Sequence, residues 1–167
     1  MATAVQVSLE EYLATTYDPD CDYVDGEVRE RNVGDWDHST FQTAFIQRLG
    51  DMARTLGLFV RAELRIEVGE GRFRIPDVTV TLAKPAKRWV TEPPFLLIEV
   101  LSERDSLASV QDRIDDYVEF GVPHVWIVDP ATLRGWDASS GAPKEVRDGV
   151  MKTGHPEIAI DLKTLAD

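Results

Sequence analysis

The chain has 167 residues, 43% of them apolar, enough for a single domain over residues 1–167 with a sizeable core. Its only cysteine, Cys21, excludes an intrachain disulfide and a thiolate zinc site, and suits a reducing cytoplasm. The formal net charge of −12 sits awkwardly with a polyanionic partner, but residues 51–90 reverse the sign, with eight bases against five acids.

The N-terminal MATAVQVSLEEYL has neither a basic nor an apolar region and does not read as a signal peptide. Ser8 with Glu11 forms a capping box that predicts a short helix through Thr16. Cys21 to Arg31 reads as a hairpin turning at Asp25-Gly26. Asp37 is the expected cap of a longer helix, whose apolar residues Phe41, Ala44, Phe45, Leu49, Met52 and Leu56 follow helical spacing until Gly57. Two strands are predicted over residues 58–68 and 72–82, joined at Gly69-Glu70-Gly71. A basic, Pro-bearing loop (residues 84–94) leads to a strand at residues 95–101. A helix over residues 106–120 follows, with Leu107, Val110, Ile114, Tyr117 and Val118 on its inner stripe. Gly121-Val122-Pro123 ends it before an apolar strand at residues 124–128, and short edge strands and turns complete the chain. No apolar run is long enough to span a bilayer. The order predicts an α/β fold, a mixed central sheet flanked by helices.

The chemistry concentrates in FRIPDVTV (residues 73–80) and FLLIEVLS (residues 95–102), which set Asp77 and Glu99 in the middle of otherwise apolar strands. A buried carboxylate is costly unless compensated. Two on neighbouring strands could converge on one Mg²⁺ or Mn²⁺ ion, which takes one or two carboxylates plus water and phosphate oxygens. A turn-capping Asp77, or Glu99 paired with Arg65 or Arg74, would account for the same residues. No nucleotide-binding glycine fingerprint, nucleophilic serine motif or zinc spacing is present.

In order and spacing, Tyr23-Val-Asp-Gly-Glu27, His38, Arg74-Ile-Pro-Asp77, Ile98-Glu-Val-Leu-Ser102, Tyr117, Gly121-Val-Pro and Trp126-Ile-Val-Asp-Pro130 resemble the Uma-two family of restriction endonucleases. That family belongs to the PD-(D/E)xK nuclease superfamily. The resemblance covers nearly the whole chain and implies a restriction-endonuclease-like fold. It makes Asp77 and Glu99 metal ligands, with the Val100 carbonyl as a candidate third oxygen. The superfamily lysine, two residues after the glutamate, is Leu101 here; the family lysine, four residues before the helix tyrosine, is Arg113. An aspartate one turn earlier is Ser109. Arginine can clamp a phosphate in a bidentate way but does not release a proton. The resemblance also brings His38 to the cleft, with capping or solvent exposure as its competing reading, and places Arg74 and Glu27 as substrate-binding residues.

The expectation is a metal-dependent DNA endonuclease in which metal-activated water attacks a phosphodiester, with DNA as partner and a homodimer as one arrangement for cutting both strands. Its rival is a catalytically lapsed nuclease fold acting as a binding or assembly module. A functional acidic surface that attracts a basic protein is a third.

Overall fold

The computed structural model describes residues 6–166; residues 1–5, part of the segment read for a signal peptide, lie outside the described residues. Ser8 Oγ accepts from Glu11 N–H (3.1 Å) and opens α1 (Leu9–Ala14), which buries Tyr12. A hairpin of β1 (Cys21–Val24) and β2 (Glu27–Glu30) follows. Asp25 and Gly26, at φ 52° and 92°, supply the two left-handed residues its tight turn needs. Helix α2 (Trp36–Leu56) is capped by Asp35, whose carboxylate accepts from His38 N–H (2.9 Å), and not by Asp37 as the sequence suggested. Asp37 sits inside the first turn, where a negative charge favours the helix dipole. Gly57, at φ 69°, ends the helix in a left-handed cap.

The two long strands expected next are each broken. Glu63, at φ 47°, divides β3 (Phe59–Ala62) from β4 (Ile66–Gly69). Ile75-Pro76-Asp77 divides β5 (Arg72–Arg74) from β6 (Val78–Thr81), because Pro76 has no N–H for a ladder. Each predicted strand therefore crosses between sheets, and Asp77 lies just before β6 rather than in the middle of a strand. The chain continues through β7 (Leu96–Val100), α3 (Leu107–Phe120), β8 (His124–Asp129), β9 (Arg134–Asp137), β10 (Lys144–Glu145), β11 (Val150–Lys152) and β12 (Ala159–Asp161) to a 3₁₀ turn (Leu162–Leu165).

The main sheet has the order β10-β9-β8-β7-β6-β3, with β7 and β8 parallel and the other pairs antiparallel. A smaller antiparallel sheet, β2-β1-β5-β4, stands beside it, and β11 pairs with β12. Alternation along β7 sorts the core. Leu96 and Ile98 face Phe41, Phe45 and Leu49 of α2, whereas Leu97 faces Ile114 and Tyr117 of α3 together with Ile66 and Val90. Tyr12, Tyr23 and Phe73 pack α1 onto the smaller sheet. This is the mixed α/β architecture expected. Leu107 departs from its predicted inward place: it is 92% exposed, because the Ser106–Ser109 capping box sets the helix entry ahead of the buried stripe. No helix among the described residues is long and apolar enough to cross a membrane.

Candidate active site

Strands β6 and β7 run antiparallel with Val78 opposite Ile98, so the next pair outward is Asp77 and Glu99. Directly opposed residues project on one face of the sheet, and here that face carries α3. Both carboxylates are buried, at 2% and 3% exposure. They line a small polar cleft of about 20 Å³ with Arg31, His38, Asp105 and Arg113, room for a single water.

Asp77 is held from every side. Its Oδ1 accepts from the Arg31 guanidinium (2.7 Å), and its Oδ2 accepts from Val100 N–H (2.8 Å) and lies 3.3 Å from His38 Nε2. Its backbone carbonyl accepts from Gln42 Nε2 (3.0 Å) and Glu63 N–H (3.3 Å). Burial pushes the Asp77 carboxyl up, but His38, Arg31 and the Val100 N–H together hold it below the usual carboxylate range. Glu99 goes the other way. Burial raises it to about 7; Arg113 opposes that rise, the neighbouring Asp77 charge adds to it, and Arg31 and the Tyr117 hydroxyl oppose it. The Tyr117 hydroxyl donates to Glu99 Oε1, and Arg113 Nε lies 3.6 Å from Glu99 Oε2.

Arg113 is therefore not paired with Asp112, Asp116 or Glu119 on its own helix. It turns to Glu99 and to Asp105 Oδ1 (3.0 Å), and its buried Nε has no hydrogen-bond partner. Asp105 in turn accepts from the backbone N–H and hydroxyl of Ser102, which fixes the loop after β7. Ser109, the other departure on this helix, serves its N-terminal capping box. His38 is buried in the first turn of α2. The Nε2 atom meets Asp77, while Nδ1 has no partner and abuts Gly34, where an added Cβ would lie 2.5 Å away.

Two expected site residues stand elsewhere. Arg74 is 3% exposed and bound to Asp22 (3.1 Å), Asp112 (2.6 Å) and Asp116 (2.6 Å), so its donors are consumed in tying the smaller sheet to α3. Glu27 is half-buried on β2 and paired with Arg29 (3.4 Å), away from the cleft. Sequence reasoning missed Arg31 and Asp105. Arg31 follows a hairpin without any spacing signal. Asp105 had one, since it lies in the loop leaving the carboxyl end of a central parallel strand, where ligand groups gather in α/β folds.

The donor set suits a hard divalent cation. Among the described residues no group of three or more His, Cys, Asp or Glu forms a metal cluster, so water and phosphate would have to complete the shell around two carboxylates. Glu99 remains raised even with two guanidiniums nearby, because its burial outweighs them.

Residues 9–136 match the Uma2 family, described as "Putative restriction endonuclease". This chain belongs to the Uma2 family. Among solved structures it is similar to a "putative nuclease belonging to DUF820" from Anabaena variabilis ATCC 29413, with a TM-score of 0.82 and 18% identity over 96% of this chain and 97% of that one. At that identity the likeness is one of fold, a nuclease fold. A DrdV-DNA complex is also similar, at TM-score 0.40 and 18% identity over 68% of this chain and 12% of that one. No curated protein matches. Within the matched region, Arg113 of α3 is the helix residue whose guanidinium reaches Glu99.

Proposed function

We propose that this Uma2 protein is a DNA endonuclease dependent on Mg²⁺ or Mn²⁺. The observation that carries the reading is the meeting of Asp77 and Glu99 across the β6–β7 ladder, with Arg113 directed at the second of them. A divalent cation held by the two carboxylates would supply Lewis-acid stabilisation at phosphorus and acidify an attacking water.

The chain's own residues do the rest. Asp77 is held in place by Arg31, the Val100 N–H and His38, and a cation on Oδ1 would take the place of the Arg31 guanidinium. Tyr117 fixes Glu99 in the same way. Arg113 brings a permanent charge to the edge of the cleft, suited to pairing with a non-bridging phosphate oxygen and not to moving a proton. His38 touches Asp77 through Nε2 and protein through Nδ1, which makes it a positioning residue for the aspartate.

The test is cleavage of supercoiled plasmid and labelled duplex with Mg²⁺ or Mn²⁺, alongside calorimetric titration of Mn²⁺ with duplex present. Cleavage and Mn²⁺ uptake should both vanish in Asp77→Ala and Glu99→Gln while circular dichroism is unchanged. Wild-type cleavage by either variant refutes the assignment. A second reading, a lapsed nuclease serving as a binding module, is favoured by one observation: Arg31 already lies 2.7 Å from Asp77 and Arg113 already faces Glu99. It predicts no Mn²⁺ uptake even with duplex bound.

A further inference from the structure

Of the eight bases of residues 51–90, Arg54 lies apart in the last turn of α2, and the other seven divide into two sets. Arg72 and Arg74 are locked to carboxylates, and Arg65 lies over the Tyr12 ring at 4.4 Å. Arg61, Lys84, Lys87 and Arg88 are exposed and, among the described residues, enter no ion pair, although the chain carries 30 acids; Lys87 alone has an aromatic neighbour, its Nζ 5.9 Å from the Trp89 ring centre. They gather around an open pocket of about 200 Å³ whose apolar floor includes Phe59 and Leu64. Unpaired cations clustered on a protein of net charge −12 call for a ligand.

Their place in the fold indicates which ligand. Strand β3 is the edge of the main sheet. At its C-terminal end, Ala62 pairs with Val78 and Glu63 N–H donates to the Asp77 carbonyl, so that end touches the carboxylate cleft. At its other end Phe59 pairs with Thr81 and lines the basic pocket. Arg61 opposes Thr79 and Phe59 opposes Thr81, which puts both on the α3 side of the sheet, the side of Asp77 and Glu99. From Glu63 to Phe59 is about 13 Å of strand, or roughly four nucleotides of duplex axis. Charge on an exposed edge also guards against strand pairing. That would account for Arg61, which lies on β3, but not for the three cations of the 84–88 loop.

We propose that Arg61, Lys84, Lys87 and Arg88 form a phosphate-backbone site that grips nucleic acid along the β3 edge, outside the Asp77–Glu99 cleft. The proposal rests on the nuclease reading for the path of its occupant. Gripping needs no metal and no cleavage.

The experiment is fluorescence anisotropy of a labelled duplex at several salt concentrations with no divalent metal. It compares the wild type, a Lys84→Glu/Lys87→Glu/Arg88→Glu variant, and a control, Lys144→Glu/Arg147→Glu/Lys163→Glu, that changes net charge equally at exposed positions elsewhere. Four phosphate contacts give a wild-type slope of log affinity against log salt of about −3.6, and the site variant should lose about 2.7 of it. Its affinity should fall tenfold or more, on the order expected for three lost phosphate contacts, while the control falls less. Equal losses in the two variants, an unchanged slope, no wild-type duplex binding, or binding to anionic vesicles in place of duplex would overturn the site. Duplex gripped through these residues without cleavage in any metal would leave the site standing and refute the nuclease reading. Cleavage with an unchanged slope in the site variant would do the reverse.

Discussion

Replacing Arg74 with alanine should destabilise the fold without acting on DNA chemistry. The guanidinium is buried and joins three carboxylates. Removing one member of a buried ion pair costs about 3–5 kcal/mol, mostly because the partner charge is stranded. The surroundings select the lower end. Asp116 keeps Arg72 at 2.9 Å, and Asp22 keeps the Ile75 N–H at 3.0 Å. Asp112, at 44% side-chain exposure, is hydrated and adds little. The expected loss is therefore about 3 kcal/mol, which for a chain of this size lowers Tm by roughly 6–12 °C. Arg74→Lys keeps the charge but not the three-way fork, and should lose less. The assay is urea and thermal unfolding, with duplex binding and cleavage measured well below Tm. An Arg74→Ala protein with Tm within about 2 °C of wild type but impaired DNA binding would refute this reasoning and restore Arg74 as a substrate contact.

Three further outcomes are expected. Arg113→Gln should lower the cleavage rate by about 10²–10³-fold, the effect typical of losing one transition-state donor, whereas Arg113→Lys should retain most of it; a Gln variant that cleaves at the wild-type rate would remove the guanidinium from the chemistry. Gly34→Ala should weaken Mn²⁺ binding in a calorimetric titration by pushing the His38 ring off Asp77, since the new methyl would meet Nδ1 at 2.5 Å; unchanged affinity would show that the ring yields without disturbing the aspartate. His124, packed edge-on against Phe95 (4.9 Å), is lowered from 6.5 by burial, with Asp137 opposing, so the unfolded chain takes up its proton first as pH falls. Its stabilising contribution is complete above pH 6.5 and is lost as pH drops through the lower folded value, which an NMR titration of the ring, compared with urea unfolding across that window, would check.

The sequence pointed to the carboxylate pair of the candidate site because apolar strand neighbours made Asp77 and Glu99 conspicuous. It also carried the elements whose ends are written in local chemistry: the Ser8 cap, the Asp25-Gly26 turn and Gly57. Long-range features were not legible. The break at Glu63 depends on a change of sheet that no local pattern announces, and Pro76 parts β5 from β6 within what looks like one continuous strand. Arg74, in the same tetrapeptide as Asp77, resembles a substrate contact on paper. Only the docking of α3 brings Asp112 and Asp116 across 38 and 42 residues to enclose it. Arg31 shows the converse, an unremarkable loop arginine delivered to Asp77 across 46 residues.

Charge also has to be read by place. A net −12 repels a duplex at long range, but at physiological ionic strength that field decays over about 8 Å. A backbone lying on the β3 edge would then sense Arg61 and the 84–88 loop more than the acids of α3, two of which, Asp112 and Asp116, are spent on Arg29, Arg72 and Arg74. Dilution changes that balance, because at 0.01 M the screening length reaches about 30 Å and the whole protein is felt. Duplex affinity should thus rise as salt falls, along the counterion-release slope, and then flatten below about 20 mM as general repulsion sets in. Anisotropy carried down to 10 mM tests this directly. A log–log plot that stays straight to the lowest salt would mean that the net charge never reaches the duplex, and that local cations alone decide binding.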